Sequence, residues 1–335
     1  MKHLLSTTAL AALLLAACGA PEGEDAVDET TSAETETMDA GEDAGGMDAG
    51  GMEDEAMEDG ASDMGGETAM AGEGEDPLAA VLADTRRDSD RARDQFRNPA
   101  ETLEFFGIEP GDTVAEALPG GGWYARVLIP YVAEEGRYIA LNYSLDQWEE
   151  MFGERWTEER ASEYGTWPET APAALAEFGP ISAEDIDAYM LGSIPDSQNG
   201  QADAVLFVRA LHHMTKFETD YLQTALADVY DFLKPGGVVG VVQHRAPEDM
   251  DAEMTTGSRG YVKQSDIVAA FEAAGFTLEA SSEINANPAD TADHESGVWA
   301  MAPSNAGDSE GEDVDPPQSI GESDRMTLKF VKPAE

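Results

Sequence analysis

Residues 116–124 read E-A-L-P-G-G-G-W-Y, so one carboxylate, three consecutive glycines and two aromatic rings follow one another. Gly120, Gly121 and Gly122 let the backbone turn sharply and approach a ligand without a Cβ in the way. Before them, Val114, Ala115, Ala117 and Leu118 have the character of a strand buried on both faces, and Trp123 opens the next helix. Strand, glycine loop and helix start in that order build a nucleotide-type cofactor site. Glu116 sets a carboxylate beside the loop, which suits a cofactor with a positive end better than one that brings only phosphates. Gly120, Gly122 and Ala125 also fit the dinucleotide spacing G-x-G-x-x-A. Against that reading, Trp123 and Tyr124 crowd a pyrophosphate, Glu116 repels it, and the next strand ends in Asn142 where a dehydrogenase needs an acid for the ribose. An NAD(P)-type oxidoreductase therefore ranks behind the alternatives.

Further along, His212 and His213 follow one apolar run, while His244 and Arg245 follow another. A histidine at a strand end can take a proton from a hydroxyl or amine acceptor. Adjacent side chains diverge, so one of His212 and His213 packs or faces solvent; His212 and His244 are the candidates for work. Arg209 and Arg259 suit an anionic substrate, or equally a structural pairing with Asp88 or Asp94, and Tyr261 is a weaker candidate. Three imidazoles can ligate zinc, but adjacent histidines rarely converge, and no metal is assigned.

These groups need a scaffold, and the pattern around them predicts one. Residues 78–97 read as a charged helix with i,i+4 ion pairs, and Asn98 with Pro99 and Glu101 reads as a capping box opening a second helix closed by Gly107. Helix is then predicted over 123–134, 147–164, 217–233 and 265–274. Strands are predicted over 137–142, 188–194, 203–209, 238–243, 277–284 and 326–331. Such alternation defines an α/β layer architecture with a mostly parallel sheet, whose ligands sit at the carboxyl ends of the strands.

The 335 residues hold 69 acidic and 19 basic side chains, a formal charge of −50. That balance argues against nucleic acid or anionic lipid as a partner. Residues 19–76 contain no Lys or Arg, about 20 acids and few branched or aromatic side chains, the composition of a disordered segment. Their methionines could hold a soft metal, but a spacer is the commoner use of such sequence. Ahead of it, Lys2 and His3 precede an apolar run too short to span a bilayer, ending L-A-A-C at Cys18, the single cysteine. Residues 1–17 are therefore expected to be a signal peptide. L-A-A-C is similar to the lipobox of bacterial lipoproteins, which implies lipidation of Cys18, an acidic tether over 18–76 and a folded domain over 77–335. Gly19 after the cysteine points to the outer membrane, facing the periplasm. On this reading the lipid anchor is the only contact with membrane. Within the domain, 77–112 are expected to be N-terminal helices and 304–324 a flexible, polar insertion.

The domain resembles class I S-adenosylmethionine-dependent methyltransferases, most closely a family of predicted bacterial methyltransferases that are often exported. The carrying motifs are R-A-R-D-Q-F-R-N-P-A-E-T-L-E-F-F-G-I (91–108), P-G-G-G-W-Y (119–124), R-A-L-H-H-M (209–214), L-K-P-G-G-V (233–238), V-V-Q-H-R-A (241–246) and D-R-M-T-L-K-F (324–330). The resemblance implies a Rossmann-like fold with helices on both faces of the sheet and an antiparallel last strand. It implies S-adenosylmethionine as cofactor, held by Glu116, Gly120, Gly121, Gly122, Trp123 and Tyr124, with Asn142 at the ribose and Ser193 at the adenine. It further implies methyl transfer to a small-molecule acceptor, with His212, His244 and Arg209 as catalytic candidates. Leu118, Asn142 and Ser193 depart from the general pattern of that superfamily. They leave a second reading open, a non-catalytic envelope binding module on the same fold.

Overall fold

The computed structural model describes residues 76–132, 135–304 and 320–334. The signal segment, Cys18, the tether up to residue 75 and most of the 304–324 insertion lie outside the described residues. The chain enters through α1 (Pro77–Leu82), α2 (Asp94–Arg97) and α3 (Pro99–Phe106). Then come β1 (Thr113–Ala117), α4 (Ala125–Val132) and β2 (Arg137–Asn142), followed by α5 (Leu145–Phe152), α6 (Glu158–Gly165) and α7 (Trp167–Leu175). β3 (Asp187–Met190), β4 (Ala202–Val208), α8 (His212–Thr215), α9 (Tyr221–Phe232) and β5 (Leu233–Ala246) complete the middle of the domain. β6 (Val262–Lys263), α10 (Gln264–Ala273), β7 (Thr277–Ser282) and β8 (Arg325–Val331) close it.

The strands lie in the order β3-β2-β1-β4-β5-β8-β7, with β6 joined to the end of β5. β1 to β5 pair in parallel, whereas β8 is antiparallel to both β5 and β7. This is the expected mostly parallel sheet with an antiparallel last strand, and helices cover both faces. Side chains alternate across the sheet, so Val114 packs with Tyr138, Ala140, Leu206 and the α3, α4 and α7 layer. Ala115, Ala117, Ile139, Val205 and Phe207 point the other way, onto the stripe Leu222, Leu226, Val229 and Phe232 of α9 and onto Phe271 of α10. The α3 layer sits so close that a Cβ at Gly240 of β5 would lie 2.6 Å from the Phe106 ring.

Residues 78–97 depart from the single charged helix that their local pairs predict. Asp76 caps α1 by accepting from the Leu78 amide at 3.0 Å, and short 3-10 turns at Thr85–Arg87 and Arg91–Arg93 lead into α2. Three of the arginines take partners beyond i,i+4: Arg87 reaches Asp94, while Arg93 and Arg97 both reach Glu322. Those tertiary contacts decide the conformation. The capping box is also absent. Asn98 adopts a left-handed conformation with φ of 41°, and its side-chain amide donates to the Ile284 carbonyl at 2.7 Å. Pro99 at the first position of α3 and Gly107 as its left-handed C-cap follow the expectation.

Candidate functional site

The connections from β1 diverge to opposite sides of the sheet, with β2 on one flank and β4 on the other. The crevice outside the carboxyl ends of β1 and β4 is therefore the topological switch point, where such sheets bind ligands. Two non-glycine residues are held at positive φ there, Leu118 after β1 (55°) and Arg209 after β4 (58°). Each is fastened across to a neighbouring strand, Leu118 N–H to the Leu141 carbonyl at 2.8 Å and Arg209 N–H to the Val242 carbonyl at 2.7 Å. A left-handed backbone at a residue with a Cβ costs about 1 kcal/mol or more, and such strain gathers at functional sites. Leu118 thus has a backbone conformation that glycine adopts more readily.

The loop itself is a tight turn, with Gly122 N–H donating to the Pro119 carbonyl at 2.8 Å. Gly122 has φ of 80°, and a Cβ there would strike the Phe178 ring at 2.2 Å. Gly121 differs, since a Cβ on it would meet nothing within 4 Å. The loop thus packs against the protein on one side and presents bare backbone on the other. Arg126 of α4 braces it by donating to the Gly121 carbonyl at 2.9 Å, and pairs with Asp90.

Glu116 lies on β1 directly before this loop, 3% exposed, and accepts a hydrogen bond from the Tyr138 hydroxyl at 2.6 Å. Burial pushes its carboxyl up to about 7, against the opposing pull of the Tyr138 hydrogen bond and of Arg126 and Arg209. Tyr124 is buried nearby, and loss of solvent pushes its phenol to about 12. Its hydroxyl bonds with Thr102 of α3, and the Arg325 guanidinium acts on it. Trp123 stacks edge-on to Tyr124 at 4.8 Å.

Across the crevice the imidazoles cluster. Ring centroids of His212 and His213 are 3.9 Å apart, those of His212 and His244 5.4 Å, and Trp299 lies 6.0 Å from His212. Burial holds all three histidines neutral, with His212 pushed down to about 3 and His213 and His244 well below the usual imidazole range. Their hydrogen bonds separate their roles. The Gln243 carbonyl oxygen accepts from the Leu211 amide at 3.1 Å, and its NH2 group donates to the Gly260 carbonyl at 3.1 Å and approaches His212 Nδ1 at 3.3 Å. His212 Nδ1 lies 3.3 Å from the Gln243 NH2 group and 3.5 Å from its carbonyl oxygen, so Gln243 engages that nitrogen in either tautomer. His244 Nδ1 is 2.5 Å from the Ser323 hydroxyl; when Nδ1 donates, Nε2 is left as an acceptor. Among the described residues no group of three or more His, Cys, Asp or Glu is arranged to hold a metal.

Glu116, the glycine loop, Tyr124, Arg209, His212 and His244 thus share the carboxyl edge of β1, β4 and β5. Arg209 acts on Glu116, Tyr124, His212 and His244 at once. Asn142 ends β2 on the same edge, but its carbonyl oxygen already accepts from the Tyr143 amide (2.8 Å) and from Trp148 Nε1 (3.1 Å), leaving its NH2 group for a ligand. Ser193 sits beyond β3, two strands from β1, with its hydroxyl donating to the Met190 carbonyl at 3.1 Å. Three other candidates have structural partners: Arg245 pairs with Asp324 and Glu283, Arg259 donates to the Glu295 carbonyl, and Tyr261 donates to Asp290. Sequence reasoning missed Tyr138, Gln243 and Trp299. The V-V-Q-H motif did put Gln243 next to a candidate histidine.

Two clefts open elsewhere. One of about 780 Å³ lies by Arg137 and Asp187 at the amino ends of β2 and β3, and one of about 210 Å³ by Asp203 and Lys234. Both are on the edge of the sheet opposite the strained loops, so the reacting groups are placed by chemistry and topology rather than by cavity size.

No protein-family model and no curated protein matches the chain. Solved structures do. An S-adenosylmethionine-dependent methyltransferase from Aquifex aeolicus is similar at 14% identity over 76% of this chain and 98% of its own, with a TM-score of 0.41. A putative methyltransferase from Bacillus halodurans shares 18% identity over 71% of this chain and 99% of its own, TM-score 0.41. 1,6-Didemethyltoxoflavin-N1-methyltransferase from Burkholderia thailandensis, solved with bound 1,6-didemethyltoxoflavin and S-adenosylhomocysteine, shares 15% identity over 79% of this chain and 93% of its own, TM-score 0.40. The doubly wound open sheet of this protein follows from its own strand order and register.

Proposed function

We propose that this protein is an S-adenosylmethionine-dependent methyltransferase acting on a small-molecule acceptor. The observation that carries the reading is Glu116, a buried carboxylate at the switch point beside a glycine loop whose outer side is bare backbone. A carboxylate so placed favours a ligand with a positive end, and Gly120 and Gly121 let that ligand lie against the main chain. Trp123 and Tyr124 flank it, and the Asn142 NH2 group suits a ribose hydroxyl. Ser193 is assigned to the adenine amine only by its place after β3.

S-adenosylmethionine supplies an electrophilic methyl group; the protein must align the acceptor, exclude water and receive a proton. Burial of this edge provides the dry environment. His244 is the better-placed base, because its Nε2 is free to accept when Nδ1 donates to Ser323. His212, held at Nδ1 by Gln243, orients the acceptor, and Arg209 steers negative charge. A neutral imidazole of depressed basicity takes the acceptor proton as the new bond forms and releases it readily afterwards.

The lipobox-like L-A-A-C supports export and a lipid anchor at Cys18, in the cell envelope and facing the periplasm. Labelled palmitate incorporated by wild type but not by Cys18→Ser is the expected result; equal labelling removes the anchor. The engaged His212 Nδ1 and the occupied carbonyl oxygen of Asn142 favour the second reading, a binding module without catalysis. Calorimetric titration with S-adenosylmethionine, S-adenosylhomocysteine and NAD separates the possibilities. Heat with the first two and none with NAD is expected. A folded sample silent to the first two ends the methyltransferase reading.

A further inference from the structure

The chain reads G-E-S-D just ahead of β8, and Glu322 and Ser323 are both 3% exposed. Glu322 accepts from three arginines at once, Arg93 Nε and Arg97 Nε at 2.9 Å and Arg325 Nη1 at 3.0 Å. Asp324 takes Arg245 through two nitrogens, at 2.8 and 3.1 Å, and the Asn287 amide at 2.7 Å. The main chain between these two carboxylates is held as firmly. The Glu322 carbonyl accepts from the Asn287 side-chain NH2 at 2.7 Å, the Ser323 carbonyl from Arg325 Nε at 3.3 Å, and the Asp324 carbonyl from the Arg245 amide at 3.0 Å. The Asp324 amide donates in turn to the Asp290 carboxylate at 2.8 Å.

Buried ion clusters are a weak source of stability, because desolvating the charges offsets most of their attraction; their best-attested use is to fix one arrangement among several. Here the residue they enclose is Ser323. In the ladder between β5 and β8, His244 stands opposite Arg325, and Ser323 lies two residues before Arg325, on the diagonal that brings its side chain to the face of His244. Its Oγ meets His244 Nδ1 at 2.5 Å, and the imidazole is itself buried. The partner of one ring nitrogen decides the state of the other. An oxygen that accepts the Nδ1 proton leaves Nε2 bare, the form a base needs; a hydroxyl that donated to Nδ1 would put the proton on Nε2 and disable it. We propose that Ser323 is the positioning residue of His244: clamped between the Glu322 and Asp324 ion clusters, its hydroxyl accepts Nδ1–H, fixes the ring and keeps Nε2 as the acceptor. The role of His244 as base rests on the methyltransferase reading above; its tautomer does not.

The test is the long-range proton–nitrogen correlation spectrum of the full-length protein labelled with 15N-histidine, in which protonated and bare ring nitrogens resonate far apart. His244 is assigned by its absence from the spectrum of His244→Gln. At neutral pH it should show one neutral tautomer, protonated at Nδ1. Ser323→Ala removes only the hydroxyl, and the ratio of Nδ1–H to Nε2–H forms should fall about fivefold or more, the worth of one hydrogen bond. Ser323→Thr keeps a hydroxyl and should restore the wild-type ratio, while the His212 signals, set by Gln243, stay as they are in both variants. A loss of general packing would move both histidines together, so the selective change reports positioning. Wild-type protein with the proton on Nε2 of His244 would overturn the proposal, and that spectrum decides even if a variant fails to fold. So would a folded Ser323→Ala protein that keeps the wild-type tautomer. Calorimetry with S-adenosylhomocysteine tests the reading beneath it: Nδ1–H without heat from that ligand keeps the positioning of His244 and defeats the cofactor, so the two failures are distinguishable.

Discussion

Replacing Glu116 by Gln should stabilise the protein at alkaline pH and weaken its cofactor at the same time. The buried carboxyl titrates near 7 in the folded chain against 4.5 when unperturbed, with burial as the main cause. Between those values the native state holds a proton that the unfolded state has lost, so stability falls as pH rises through the window. The stabilisation relative to an ionised buried carboxylate is complete below 4.5 and gone above 7, a change of about 3 kcal/mol. Gln cannot ionise, and its carbonyl oxygen can still accept from Tyr138. In urea unfolding, the stability difference between Glu116→Gln and wild type should therefore grow by about 3 kcal/mol in favour of the variant from pH 4.5 to 8. Other titrating groups cancel in that difference. Binding should run the other way: at pH 8 the variant loses the ionised partner, and S-adenosylmethionine affinity drops tenfold or more, about 1.4 kcal/mol. Wild-type binding should strengthen as pH rises toward 7 and release a proton, seen as a dependence of the calorimetric heat on buffer ionisation enthalpy. A stability difference that does not change with pH would refute the buried-carboxyl argument. A pH-independent affinity would detach Glu116 from the ligand.

Gly121→Ala probes the bare side of the loop: with open space for the Cβ, stability should stay within about 0.5 kcal/mol of wild type, while cofactor affinity falls about tenfold. Equal affinity would mean that the ligand does not touch this backbone. Gly122→Ala should instead destabilise by about 2 kcal/mol or more in chemical unfolding, because its φ of 80° and the Phe178 ring oppose a Cβ. The three neutral histidines bind no proton folded and one each unfolded, so stability should fall as pH drops below 6.5. Glu116 opposes them by one proton, leaving a net of about two and a slope of about 3 kcal/mol per pH unit near pH 5.5, readable from urea midpoints at several pH values. A flat profile there would contradict the burial of the cluster.

The parallel strands were legible because buried strands write themselves as short apolar runs between turns: β2 falls on the predicted 137–142 and β4 within one residue of 203–209. The glycine loop was legible for the same reason, since three glycines after such a run have few other uses. What the sequence hid was every feature set by contacts distant along the chain. Nothing local to R-R-D-S-D-R-A-R-D-Q-F-R-N (86–98) reveals that Arg97 will find Glu322, 225 residues away, or that Asn98 will turn left-handed to reach Ile284. Helical spacing of opposite charges is worth a few tenths of a kcal/mol per pair, whereas a guanidinium buried on a carboxylate engages several times that energy on either side of the balance. Local pairing therefore loses wherever a buried partner exists. The consequence for the site is specific. Arg97 and Arg325 both fell inside motifs that mark the resemblance, yet their side-chain chemistry emerges only when the β7 to β8 connection brings Glu322 between them beside Trp123. The glycine loop is written in one stretch of chain; the ion cluster beside it is assembled from segments more than 200 residues apart.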